Sequence, residues 1–260
     1  MKYLKSLLRL LLMFTLGLGV GSCNEKHMNE NHINNNKSAA EFLGHPGYKA
    51  ISYGGYRTLT REDQPSIAQI KEDLKILSAL GVKVIRTYNL QLDQAPNILK
   101  AIRALKSEEV GFEMYVMLGL WIECENARLS PNHGAEDTAV NSAEIERAIT
   151  YANQYPDIVK IIAVGNEAMV HWQANYFVRP SVILKWVNHL QKLKTEDKLP
   201  LELWITSSDN FASWGGGEAA YHNEDLTALI KAVDYISLHT YPFHDTHYNA
   251  GFWVDSQKNT

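Results

Sequence analysis

The chain has 260 residues, 45% of them hydrophobic and 21% charged, with a formal net charge of −4. This is the composition of a globular protein, and barrels of about 200–250 residues often fold as one domain. The acidic balance argues against a nucleic-acid partner, which demands a basic patch.

Lys2, Lys5 and Arg9 make the first residues positive, and residues 7–20 are otherwise apolar, closing on Gly21-Ser22-Cys23. A positive start, a short apolar stretch and small residues at a cleavage point predict a secretory signal peptide over residues 1–22. Cysteine directly after small residues resembles a bacterial lipobox. The expectation is cleavage before Cys23, lipid on its thiol, and an exported protein anchored to a membrane of the cell envelope. The apolar run is shorter than the ~20 residues of a membrane span, which disfavours an uncleaved anchor. Cleavage removes three positive charges and no negative ones, taking the net charge from −4 to −7. Cys124 would then stand alone, without an internal disulfide, and reads as a buried thiol.

Residues 23–44 are predicted to be a flexible polar linker, because residues 24–41 hold six asparagines and almost nothing apolar. The remainder, 45–260, alternates short apolar runs with amphipathic helices. Strands are expected at Ala50–Tyr56, Val82–Tyr88, Phe112–Leu120, Val159–Val164, Leu201–Thr206 and Tyr235–Leu238, where Val and Ile suit strands buried on both faces. Between them, Ile67, Ile70, Leu74 and Leu77 share one helix face before Gly81, and Ile98, Ile102 and Leu105 share another before Gly111. Asn141 with Glu144 predicts a capping pair for a third helix that Pro156 ends. Ser181 opens a fourth helix, and Asn223 or Thr227 a fifth. Such alternation predicts a parallel α/β sheet. Six strands fit a (β/α)8 TIM barrel with two units missing, and also an open doubly wound sheet. No glycine-rich turn follows the first strand, so dinucleotide binding has little support, and no cofactor is implied.

Chemistry in barrels sits at the carboxyl ends of strands. Those ends carry Tyr53 to Arg57, Arg86 to Asn89, Trp121 to Glu123, Gly165-Asn166-Glu167, Thr206 to Asp209, and His239 to Pro242. Each end carries polar or aromatic residues, which suggests a lined groove. The sharpest is Ile161-Ile162-Ala163-Val164-Gly165-Asn166-Glu167, an apolar strand that delivers a carboxylate. Desolvation there is expected to raise the Glu167 pKa so that it holds and donates a proton. The bland alternative is that Glu167 caps the next segment or pairs with a base.

The segments Ile51-Ser52-Tyr53-Gly54, Val84-Ile85-Arg86-Thr87-Tyr88, Ala163-Val164-Gly165-Asn166-Glu167 and Leu238-His239-Thr240-Tyr241-Pro242-Phe243 fall in the order found in glycoside hydrolase family 17, which the chain resembles over roughly residues 48–250. The resemblance implies that Glu167 is the general acid/base and that Asn166 meets a substrate 2-hydroxyl. It implies that Arg86 and Tyr241 hold and tune a nucleophile, and that Tyr53 and Tyr88 line the groove. It further implies action on β-1,3-glucan by hydrolysis or transglycosylation with retention. Retention needs a second carboxylate about 5–5.5 Å from the first. In that family it ends the seventh strand, which is not found before Thr260, so a fragment inactive by itself is expected. An unclosed barrel exposes its outer strand edges, so poor stability is expected too.

Trp121, Trp172, Trp214 and Trp253 follow strands or lie in the loops after them, and suit either the apolar faces of sugars or structural packing; Trp186 reads as core. His239, His244 and His247, with Asp245, match no zinc spacing and read as polar lining of a sugar groove, leaving no metal site. The expected partner is a β-glucan polysaccharide or oligosaccharide, bound by a monomer. The alternative is a non-catalytic carbohydrate-binding lipoprotein.

Overall fold

The computed structural model describes residues 36–216 and 219–241. The chain divides into Met1–Asn34 and Asn35–Thr260, and every described residue belongs to the second unit. The predicted signal peptide, Cys23, Pro242, Phe243, His244, Asp245, His247 and Trp253 lie outside the described residues.

Among the described residues, six parallel strands form one curled sheet with helical crossovers, an incomplete barrel. In chain order the elements are α1 (Ala39–Phe42), β1 (Lys49–Ser52), α2 (Ile67–Ala79), β2 (Val82–Arg86), α3 (Gln94–Glu108), β3 (Tyr115–Leu120), β4 (Cys124–Glu125), β5 (Asn132–Glu136), α4 (Thr138–Gln154), β6 (Val159–Asn166), α5 (Pro180–Thr195), β7 (Trp204–Asn210), α6 (Glu224–Ala232) and β8 (Ser237–His239). The large sheet runs β1-β2-β3-β6-β7-β8, and β4 with β5 makes a separate antiparallel pair. The six strands expected from the sequence are therefore the six of the sheet. The β4–β5 hairpin was not expected, because neither strand alternates apolar and polar residues.

The local chemistry explains most boundaries. Ser66 and Gln69 form a reciprocal capping box at the start of α2. Gly81, at φ +81°, takes the left-handed turn that ends it. Pro180 occupies the first turn of α5, where its missing N–H costs nothing. Asn223 Oδ1 accepts from Leu226 N and caps α6, as expected. The start of α4 differs: its cap is Asp137, whose carboxylate accepts from Val140 N at 3.0 Å. Asn141 and Glu144 are instead buried inside the helix face. β7 also begins three residues later than expected, since residues 201–203 turn before entering the sheet.

The two sheet faces bury two cores. Ile85, Val116, Leu118, Ile162, Val164 and Ile205 pack outward against the helices. Val84, Tyr115, Met117, Ile161 and Ala163 pack inward, together with Ala39 and Phe42. This is the period-two alternation of a strand. Phe42 is 1% exposed and stacks on Tyr115 at 4.9 Å. Tyr115 also accepts a hydrogen bond from Lys37 N, and Lys160 Nζ reaches Asn36 Oδ1. The expected linker boundary at residue 44 therefore moves back: residues 36–44 close the amino-terminal end of the sheet. Their few apolar residues are spent on one contact, which average composition hides.

Among the described residues, β1 pairs only with β2 and β8 only with β7. Ile51 and Leu238 on these outer strands are 41% and 46% exposed. No described helix is long and apolar enough to cross a membrane.

Candidate active site

The carboxyl ends of β2, β6 and β8 bring Arg86, Asn166, Glu167, His239 and Tyr241 together. The local cause is a bulge in β6. Ala163 pairs with Thr206, but the next partners are Asn166 and Ser208, so β6 carries one extra residue. Gly165 absorbs it at φ +88°, and Glu167 follows at φ +48°. A bulge beside an active site re-aims side chains. A left-handed Glu costs free energy that its surroundings must offset. Glu167 N donates to Ser208 O at 2.9 Å, which pins the turn.

The Glu167 side chain is 23% exposed. Its Oε1 accepts from the Tyr241 hydroxyl at 2.9 Å and lies 2.9 Å from His239 Nδ1. The other His239 nitrogen is 2.8 Å from Ser208 Oγ, which in turn is 2.9 Å from Ser237 Oγ. The His239 hydrogen bond is the main reason that the Glu167 pKa is lowered. Burial works the other way, and the Tyr241 hydroxyl and the His239 and Arg86 charges add to the lowering. This corrects the expected rise: desolvation is present, but donors aimed at the ionised form outweigh it. Tyr241 is pushed up to about 12 by burial and by its bond to Glu167.

Arg86 Nη2 donates to Asn166 Oδ1, which leaves the Asn166 amide nitrogen for a ligand. The guanidinium lies 4.9 Å from the Tyr88 ring centre. Burial lowers the Arg86 pKa, while Tyr88, Tyr241 and Glu167 counteract it. Among the described residues, Arg86 Nε is buried without a hydrogen-bond partner, an orphan that a ligand or water would satisfy.

Trp121 stands after β3. Its indole nitrogen donates to Glu123 Oε2 at 2.6 Å, its ring lies 4.8 Å from that of Tyr176, and Arg128 sits 5.4 Å over it. Tyr176 was not legible in the sequence, being one of 13 tyrosines in a segment without a pattern. Burial, then the charges of Glu167 and Asp209, raises its pKa.

Tyr53 does not join them. It is 8% exposed in the outer core, and its hydroxyl donates to Asp73 at 2.6 Å, so it ties β1 to α2. An aromatic at a strand end is consistent with either location, and Asp73 decides. Asp209, fully buried within β7, accepts from Met169 N at 2.8 Å and Asn210 N at 2.7 Å. Trp172 is exposed beside His171, Trp214 and Trp186 are buried, and Cys124 is a buried free thiol. No group of three or more metal-ligating side chains comes together among the described residues.

A parallel barrel sheet presenting an Asn-Glu pair, an arginine and aromatic rings at its carboxyl end is the arrangement of a barrel glycosidase. Residues 50–260 match the BtgE/BtgC glycoside hydrolase domain, and the chain belongs to that family. A similar solved structure is the endo-laminarinase of Formosa Hel1_33_131, 60% identical with a TM-score of 0.81. The match covers 84% of this chain and 56% of that one, so this chain spans little more than half its length. The β-1,3-glucanase and allergen CJP38 of Cryptomeria japonica pollen shares the fold, with 14% identity, a TM-score of 0.50, and coverage of 80% of this chain and 60% of its own. A GH5_18 protein from Streptomyces cattleya, in complex with GlcNAc, does likewise at 16% identity, a TM-score of 0.50, and coverage of 78% and 53%. No curated protein matches the chain.

Proposed function

We propose that the protein is a retaining glycosidase or transglycosylase of β-1,3-linked glucan, of the family 17 type, with Glu167 as its acid/base. The observation that carries this reading is the half-buried Glu167 carboxylate between His239 and Tyr241, beside Asn166 and Arg86. The linkage assignment is supported by the 60% identity to an endo-laminarinase.

In this reading Asn166, its oxygen occupied by Arg86, offers its amide N–H groups to a sugar hydroxyl. Tyr88 and the Trp121–Tyr176 pair offer ring faces. Glu167 protonates the leaving oxygen and then accepts hydrogen bonds from its two neighbours as a carboxylate. The His239 and Tyr241 contacts thus stabilise the state formed on proton donation. A second carboxylate about 5–5.5 Å away completes a retaining pair, and its negative charge would raise the Glu167 pKa toward the donating range. Asp209 is unsuited to that role, because both its oxygens are engaged by backbone amides in the core. We assign the nucleophile to no described residue.

The test uses the complete gene product on β-1,3-glucan oligosaccharides. Glu167→Gln is expected to lose on the order of 10²–10⁴ in rate. Azide is expected to restore part of the turnover of an activated aryl glucoside. Wild-type turnover by the variant would overturn the assignment.

Residues 1–22 as an export signal and Cys23 as the lipidated residue are part of the same proposal, supported by their charge and residue pattern. Cys23→Ala is expected to abolish incorporation of labelled palmitate and to release the protein from the membrane fraction.

A further inference from the structure

We propose that Asn141 and Glu144 of α4 are positioning residues that hold two neighbouring segments of the sugar cleft, those after β2 and β3, in register. The inference rests on the glucan-binding reading above. Both side chains are fully buried. Glu144 Oε1 accepts from Leu90 N at 2.6 Å and from Trp121 N at 3.1 Å. Its other oxygen accepts from Arg147 Nη2 at 2.7 Å and Nε at 3.2 Å. Asn141 grips Glu123 by both backbone groups: its Oδ1 accepts from Glu123 N, and its Nδ2 donates to Glu123 O, each at 3.0 Å.

A buried carboxylate on a helix that faces a sheet is costly, and an apolar side chain would fill the place at less cost. Here the ion serves as an acceptor for two backbone segments that follow different strands. The segment after β2 carries Tyr88, which lies over Arg86. The segment after β3 carries Trp121 and Glu123, joined by their own hydrogen bond. Leu90 and Trp121 share one oxygen atom, so their amides cannot separate without losing a bond. Binding sites depend on such supported geometry, because small displacements weaken every contact to a ligand. Neither Asn141 nor Glu144 needs to touch the sugar. Each acts through the segment it holds.

The experiment combines calorimetric titration of the complete gene product with a β-1,3-glucan oligosaccharide and hydrogen exchange resolved by peptide. Glu144→Ala is expected to raise Kd about tenfold and to speed exchange in residues 88–92 and 119–125 alone. Glu144→Gln keeps an acceptor oxygen and is expected to stay within about threefold of wild type. A purely structural role would lower the melting temperature and speed exchange across α4 and the sheet while leaving Kd unchanged. A folded Glu144→Ala with wild-type Kd overturns the proposal, as does a Glu144→Gln variant as impaired as Glu144→Ala. If Glu144→Ala does not fold, Asn141→Ser takes its place, with faster exchange expected in residues 119–125 alone and a wild-type Kd again overturning the proposal. If the wild type binds no glucan, the functional reading has failed. The clamp then stands or falls on whether faster exchange is confined to the two segments.

Discussion

His239 Nδ1 lies 2.9 Å from Glu167 Oε1, although β8 and β6 are not neighbours in the sheet. The bond crosses over β7, and Ser208 of β7 supports the imidazole from its other nitrogen. Three adjacent strand ends are thereby tied to one carboxylate.

The first prediction concerns its charge. Since His239 is the main cause of the lowered Glu167 pKa, His239→Ala is expected to move the carboxyl upward, with burial then dominating. Tyr241→Phe is expected to do the same to a smaller extent. The measurement is a carbon NMR titration of labelled glutamates. In wild type, the depressed pKa contributes stability that is present above the unfolded value and lost as pH falls through the folded one. That acid loss shrinks in His239→Ala. An unmoved Glu167 titration would contradict the geometry.

Asp209 behaves in the opposite sense. Burial raises its pKa from 3.8 to about 6. A raised carboxyl contributes stability below its unfolded pKa, and that contribution is lost as pH climbs through the folded value. The loss is on the order of 3 kcal/mol, spread between pH 4 and about 6. Asp209→Asn removes this pH dependence, at the cost of one acceptor for the Met169 and Asn210 amides. Urea unfolding of both proteins between pH 4 and 7 tests this: wild-type stability should fall relative to that of the variant as pH rises, and parallel curves would refute it.

Gly165→Ala tests the bulge that aims Glu167. The position is at φ +88°, and a new Cβ would stand 2.9 Å from Ala168 Cβ and 3.1 Å from Ile183 Cδ1. Strain and overpacking together predict destabilisation of about 2–4 kcal/mol, read by thermal or urea denaturation. A neutral result would mean that the turn relaxes without cost.

Phe42→Ala tests whether residues 36–44 belong to the fold. Deleting a ring that is 1% exposed and stacked on Tyr115 should cost about 3–5 kcal/mol. A flexible linker would show a change within about 0.5 kcal/mol. Urea unfolding separates the two.

Much of the fold was legible because its signals are local. The Val- and Ile-rich runs announced the six strands, and Ile70 with Leu74, or Ile98 with Ile102 and Leu105, announced helix faces. Phe42 was missed because a four-residue helix has too few turns for a period. Asn141 and Glu144 were misread because a capping pair and a buried clamp have the same spacing; only the position of Asp137 separates them. Tyr53 and Tyr241 are equivalent as letters at strand ends, yet Asp73 draws one into the core while Glu167 holds the other at the site.

The amino-acid sequence by itself determined the alternation of strands and helices and the delivery of Asn166 and Glu167 at a strand end, because hydrophobic period and turn chemistry act over a few residues. The tertiary structure alone decided which groups surround Glu167 and therefore its charge. His239 lies 72 positions away along the chain, and a pKa depends on distance through space.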